Sequence, residues 1–488
     1  MSKLKMLLLC SVVLGLMFSP VARADRYVVA PGAHMGTPAH PYDSWSNAAT
    51  NIQTAVDAAN DGETIWVSNG IYKATGAGKL FLGTNMVYLE KNRKLLSVNG
   101  PEVTILDGGY PELTNRPVCL NSTGSVLSGF SVVNGCLSRG GGVLIGSYGG
   151  MVSNCMVYSN ISAPVMASEG GGGIASSTTD GYTGYFYNCS VYGNTAIISN
   201  SGGGAWFRGS VVLSDCEFYT NRCLSGSQQG GGCYIRGDVK MNRCVFSNNY
   251  AELSSGGGVY IYVGKLIAEG CTFVNNSANS GGGIFTRAIN TDTIISNCLI
   301  SGNTAFGAAG GGGVSMDGAG RIVGCLIASN RVTTNSSSSV GGGIKINSAN
   351  AVCESCTVVD NSVNGGSGGG IHMSAAGQVI NTVIYGNTAP TGPEWYPAGV
   401  GSFSNCCTAN TNGMNGSGNI AADPKFVDAA AGNYRLPASS PCVNAGLNQD
   451  WMIAGVDKDG RPRLDRFVKL VDIGCYEHQF QGVMFLIK

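Results

Sequence analysis

Along most of the chain, hydrophobic and polar residues alternate with period two around recurring marks. Two residues after Cys155, Cys189, Cys216, Cys244, Cys271, Cys298, Cys325, Cys356 and Thr382 the side chain is always apolar, from Val157 and Val191 through Phe218, Phe246 and Phe273 to Ile384. The residue between varies freely, from Met156 to Glu217. One fixed face and one free face at period two predict a half-buried strand. A second strand is predicted after each glycine run, as in Val259-x-Ile261 and Ile344-x-Ile346. No helical periodicity lies between them, so each unit supplies two short strands plus turns.

The marks repeat together. Runs of three or four glycines end at Gly142, Gly173, Gly204, Gly232, Gly258, Gly283, Gly313, Gly343 and Gly370, spaced by 25 to 31 residues. Five residues after each Cys, or Thr382, stands an Asn, from Asn160 to Asn387. A short motif at this period predicts a solenoid. Stacked two- or three-strand repeats make it a parallel β-helix, with about 4.8 Å between coils. Asn at a recurrent turn tolerates left-handed backbone and stacks its amide on the next coil. Glycine permits a tight bend, and an inward Cys is a small apolar filler. At the start, Ile52, Ala55, Val56 and Ala59 share one face of a helix over 51–60 that caps the first coil. Strands are expected over 63–67, 94–98 and 104–106.

Two lysines in Met1–Lys5, the apolar run Met6–Phe18 and Ala22-Arg23-Ala24 predict a secretory signal peptide cleaved after Ala24. The expected organisation is therefore a leader over 1–24, an N-terminal cap and first coils over 25–128, glycine-rich coils over 129–390 and a closing module over 391–488. Composition narrows the classes. Of 488 residues 75 are Gly, only 12% are charged and 43% are hydrophobic, which excludes a coiled coil and a disordered charged tail. The glycines do not recur every third position, so collagen is excluded. A formal net charge of +0 leaves no electrostatic footprint for nucleic acid. No later stretch is long and apolar enough for a transmembrane helix. A secreted or outer-surface monomer without cofactor is expected.

The start of the chain, with Tyr27-Val28-Val29, Gly62-Glu63-Thr64-Ile65-Trp66-Val67 and Ser97-Val98-Asn99-Gly100, resembles bacterial secreted proteins of the pectin-lyase-like right-handed β-helix superfamily. The repeats are similar to those of chlamydial polymorphic outer-membrane proteins, which pair Gly-Gly-Ala-Ile with Phe-x-x-Asn. Phe218 to Asn221, Phe246 to Asn249 and Phe273 to Asn276 match the second motif, while the first is altered to Gly-Gly-Gly. Asp423-Pro424-Lys425-Phe426, Asn433-Tyr434-Arg435-Leu436 and Asp472-Ile473-Gly474-Cys475-Tyr476-Glu477 resemble the choice-of-anchor Q module that closes many such proteins. The resemblance implies an all-β, right-handed parallel β-helix. It implies no single function, because the superfamily holds lyases, hydrolases and adhesins. Its hydrolases imply clustered Asp, Gly-His-Gly and Arg-x-Lys. Here only His372 lies in the coils, and Asn290-Thr291-Asp292 alone matches a fragment of that pattern. Its pectate lyases imply Ca²⁺-binding carboxylates and a basic residue, yet carboxylates in the coils are sparse and share no repeat position. No catalytic residue is assigned.

One outward strip stands out. Two residues past the glycine runs of four successive coils come Trp206, Tyr234, Tyr260 and Phe285, and two further on come Arg208, Arg236, Tyr262 and Arg287. Exposed, they would form a platform for polysaccharide or cell-surface glycan, with rings on sugar faces and Arg on carboxylate or sulfate. Otherwise they form an aromatic ladder that only stabilises the sheet. Arg236-Gly237-Asp238 also matches an integrin-type tripeptide. Asp457 and Asp459 could open a Ca²⁺ loop, although a plain turn explains them as well. Most cysteines read as reduced, buried ladder thiols. Cys442 and Cys475 lie outside that ladder, Cys475 where the C-terminal module usually has a small residue, and they are expected to pair. The expected function is non-catalytic glycan or surface binding. A diverged polysaccharide lyase or hydrolase is the alternative, and a structural envelope protein the third.

Overall fold

The computed structural model describes residues 25–33, 36–163, 170–197, 201–224, 229–287, 292–397, 401–465 and 467–478. The expected signal peptide lies outside these residues. After each glycine run the chain enters one long sheet, turns into a second, passes the Cys into a third, and passes the Asn into a short fourth. These sheets hold 13, 14, 14 and 8 strands, and we number them one to four in that order. Neighbouring strands in each come from successive coils and pair in parallel, as Phe218, Phe246 and Phe273 do in sheet three. The one antiparallel pair among the described strands joins Lys79–Leu80 to Thr84–Leu89 in sheet one. The chain is a right-handed parallel β-helix. Its strands run on beyond 390, where the glycine and Cys marks end, to Ile420–Ala421.

Two corners of the coil follow one rule. The residue before each Cys or Thr382 (Asn154, Asn188, Asp215, Arg243, Gly270, Asn297, Gly324, Ser355, Asn381) and the residue before each ladder Asn (Ser159, Gly193, Thr220, Asn248, Asn275, Gly302, Ser329, Asp360, Gly386) have φ between 49° and 72°. The left-handed position thus falls one residue before the Asn, not on it as expected. The Asn itself is buried and fully bonded. Asn221 donates its backbone N–H and Nδ2 to Oδ1 of Asn249, at 3.1 and 3.0 Å, and Nδ2 again to Val191 O of the preceding coil at 2.8 Å. The pattern starts at Gly135 N, which donates to Asn160 Oδ1, and passes from coil to coil to Asn387, which donates to the Glu394 carboxylate. Burial pushes the Glu394 carboxyl up, and the bonds from Asn387 and Gly386 pull it back.

The interior is one continuous cluster that includes the ladder thiols and a face-to-face stack of Phe218, Phe246 and Phe273 at 4.8 and 5.3 Å. The glycine runs form the third kind of corner. A Cβ on Gly257 would lie 2.3 Å from Gly282 O, because the runs of adjacent coils stack backbone on backbone. The expected cap is the helix Ile52–Ala58, with Asn51 as N-cap and Ile52, Ala55 and Val56 buried against the first coil. After Ala421 the chain folds back over the outer face of sheet three. Tyr434, Cys475 and Tyr476 cover Leu326, Ala328 and Val359 there, and Leu436, Cys442 and Ile473 cover Val383 and Cys407. Trp451 Nε1 donates to Glu354 Oε1 at 2.7 Å, and Arg463 and Glu477 form a buried ion pair at 3.2 Å.

Candidate functional site

Sheet one places the outward strip. Ala175, Trp206, Tyr234, Tyr260, Phe285 and Ser315 stand in register on six successive coils. They point away from the main core, but they are not exposed: Trp206 is 2% and Tyr260 1% accessible, Tyr234 8% and Phe285 9%. The expectation of a solvent-facing platform is corrected for all four. Tyr234, Tyr260 and Phe285 stack at 5.6 and 5.1 Å with planes within 8°, so both faces of Tyr260 are turned to neighbouring rings. The first glycine of the run closes over the other side, so that a Cβ on Gly256 would sit 2.7 Å from Tyr260 Cβ. Arg139 lies over the Trp206 ring at 5.9 Å. These buried rings offer a sugar no exposed face to stack on.

The second tier is exposed. Arg208 and Arg236 end their strands in register on adjacent coils, with both side chains in solvent. The expected alignment then breaks. A bulge pairs Arg236 with Val263, and Tyr262 becomes an extra residue. Its ring, 37% exposed, lies against Tyr234 at 6.0 Å, with the Arg236 and Arg287 guanidiniums over it at 5.9 and 5.2 Å. The Tyr260 hydroxyl beside Arg287 raises the guanidinium pKa.

Where sheet one turns into sheet two, Arg208 and Arg236 border a groove of about 760 Å³. Arg139, Arg208 and Arg236 line it together with Ser177, Thr178 and Asp180. Among the described residues no carboxylate lies within ion-pair distance of Arg208, Arg236 or Arg287. Partial burial and the nearby Arg208 charge lower the Arg139 pKa, a sign that like charges are gathered here. The integrin-type tripeptide forms part of the groove wall rather than a projecting loop. Asp238 N donates to Gly209 O at 3.1 Å, and a Cβ on Gly237 would lie 2.2 Å from that same oxygen.

Other expected sites are redirected. Asp457 Oδ1 accepts from the backbone of Asp459 and Arg461, and its Oδ2 accepts from Glu477 N, so this carboxylate is spent on a turn. Asp459 is held in two bonds by Arg435 at 2.6 Å. Both carboxylates are thus engaged, and no group of three potential metal ligands occurs among the described residues. Cys442 and Cys475 do not pair. Both are free thiols in separate clusters, and Cys475 N binds Thr357 Oγ1 at 3.1 Å. His372 is buried, stacked on Tyr396 at 5.4 Å and bonded through Nδ1 to Ser374 Oγ at 3.1 Å. Burial and then Lys345 push its pKa down to about 4. Asn290 and Thr291 lie outside the described residues. Sequence reasoning passed over Arg139, which directly precedes a glycine run. It also passed over Tyr158, Tyr192 and Tyr219, each three residues after a ladder Cys, which stack at 4.8 and 4.6 Å on the outer face of sheet three.

The family described as the right-handed β-helix region matches residues 227–391. Among solved structures the chain is similar to a pectate lyase at 15% identity, over 94% of this chain and 98% of that one, with a TM-score of 0.40. It is also similar to the A-module of a mannuronan C-5 epimerase of Azotobacter vinelandii, at 16% identity over 77% and 95% with a TM-score of 0.33. A rhamnogalacturonan lyase is similar at 12% identity over 92% and 96%, with a TM-score of 0.31. No curated protein matches. No helix among the described residues is long and apolar enough to cross a membrane.

Proposed function

We propose that this β-helix is an extracellular or cell-surface protein that binds an acidic polysaccharide, without cleaving it, along the groove between sheets one and two. The observation that carries this is the pair Arg208 and Arg236, exposed in register one coil apart with no carboxylate partner among the described residues. Two adjacent guanidiniums repel, and an anionic ligand relieves that repulsion. Each presents a planar fork matched to carboxylate or sulfate. The coil repeat of about 4.8 Å is close to the advance of one pyranose residue in an extended polymer. A chain lying along the solenoid axis therefore offers one acid group per coil. Ser177, Thr178 and Ser210 supply hydroxyls beside it. Tyr262, fixed between Arg236 and Arg287, offers an exposed ring edge at the border.

The test is size-exclusion chromatography with light scattering on mixtures with polyuronate, sulfated and neutral polysaccharides. Co-elution with the acidic polymers at constant polymer mass is expected, weakening as salt rises. The double variant Arg208→Ala/Arg236→Ala should lose at least about tenfold in affinity, the scale of one charge-assisted hydrogen bond, at unchanged melting temperature. Equal binding of neutral polymer, or no effect of the double variant, overturns the proposal. Polymer mass that falls with time would instead establish a lyase or hydrolase, and no binding to any polymer would favour a structural role.

A further inference from the structure

The 17 cysteines beyond Cys10 are all buried, and none is joined in a disulfide. The ladder thiols stand in parallel register, each donating to a carbonyl two residues earlier, as Cys298 does to Ser296 O at 3.2 Å. Side chains in such a row run side by side, whereas a disulfide needs two Cβ groups turned toward each other. Cys407 and Cys442 instead come from two separate segments packed on each other. Cys407 is in register with Val383 on the outer face of sheet three, so its side chain leaves the solenoid. Its neighbour Cys406 points inward, with Sγ donating to Val379 O at 3.5 Å. Cys442 comes from the segment laid over that face. It is fixed by its own N–H to Ser440 Oγ at 3.2 Å and by Ile473 N to its carbonyl at 2.9 Å. The two side chains share one apolar cluster with Val383, Leu436 and Ile473. Cys407 Sγ donates to Ala422 O at 3.3 Å, and the neighbouring Cys407 thiol, together with burial, pushes the Cys442 pKa up.

We propose that Cys407 and Cys442 are a cross-linking site, whose disulfide staples the C-terminal segment to the last coils. The co-reactant is a small disulfide oxidant such as oxidised glutathione. One thiolate attacks the oxidant, forming a mixed disulfide and releasing one reduced thiol. The second thiolate then displaces the other half. Two S–H bonds and the oxidant's S–S bond break, one protein S–S bond forms, and the oxidant takes up the two electrons and two protons as two thiols. Both side chains are fully buried, so the step belongs to folding, before the segment closes.

The experiment refolds the full chain in a glutathione redox buffer, quenches with acid, alkylates in denaturant and maps the peptides. The expected product is a peptide pair joined through Cys407 and Cys442, lighter by two hydrogens than the reduced pair. The oxidised protein should melt at a higher temperature than the same protein after reduction, and Cys442→Ala should abolish that difference. Full alkylation of both residues after oxidative refolding, or linkage of either to Cys475 or to a ladder thiol, overturns the proposal. The map is read on the wild-type chain, so poor folding of a variant does not blunt the test.

Discussion

Asn249 accepts two hydrogen bonds from Asn221 and passes its own on to Asn276. Asn249→Ala leaves the buried backbone N–H of Asn221 and one of its two Nδ2 hydrogens without an acceptor, the other staying on Val191 O. Orphaned buried donors cost about 1–3 kcal/mol each, so a loss of about 2–4 kcal/mol is expected from urea titration, at unchanged slope. His372 gives the second residue-scale prediction. Its folded pKa of about 4 lies below the ordinary 6.5. The stabilisation held by its neutral form is therefore complete above pH 6.5 and lost as pH falls toward 4. The melting temperature should fall across that window, and less steeply in His372→Asn; identical slopes would refute the burial of a neutral imidazole. The Asn and Cys columns were legible because each recurs as one residue type. The left-handed corners were not, because Asn, Asp, Ser, Thr, Gly and Arg all fill them.

At the scale of strands and turns, backbone contact sets the tolerance. Gly257→Ala would place a Cβ 2.3 Å from Gly282 O and 2.6 Å from Ser277 N. Neither coil can yield without breaking its ladder, so this variant should be recovered mainly as insoluble protein, while Gly181→Ala, with open space around it, differs through its φ of +85° alone. Trp206→Ala removes a buried ring and should cost about 3–5 kcal/mol, yet leave acidic-polymer binding intact below its melting temperature. Loss of binding at unchanged stability would show that the ring meets ligand. The strand pattern showed which way Trp206, Tyr234, Tyr260 and Phe285 point from sheet one. It could not show what closes over them, because alternation reports direction and not cover. The bulge that displaces Tyr262 was equally invisible, since one added residue leaves no compositional trace.

For the whole molecule, the solenoid and the capping helix were legible from period and motif. The groove was not, because Arg139 and Arg208 are brought together only by stacking coils. The C-terminal segment shields Leu326, Val359 and Val383 on the outer face of sheet three. Deleting residues 423–488 should bare that face, and the protein should elute as large, dye-binding assemblies; a well-behaved monomer would mean the cover is dispensable. The asparagine row also has a direction. Each ladder Asn hands its backbone N–H and one Nδ2 hydrogen to the coil made after it, the other Nδ2 hydrogen going to the coil before, so a chain emerging from its N-terminus always carries unmet donors at the growing tip. Glu394, which can accept but not pass on, is where that demand stops. Physically the protein is a one-way fibre supplied with a terminator. A fragment ending before that carboxylate keeps the appetite of a fibre without the means to satisfy it.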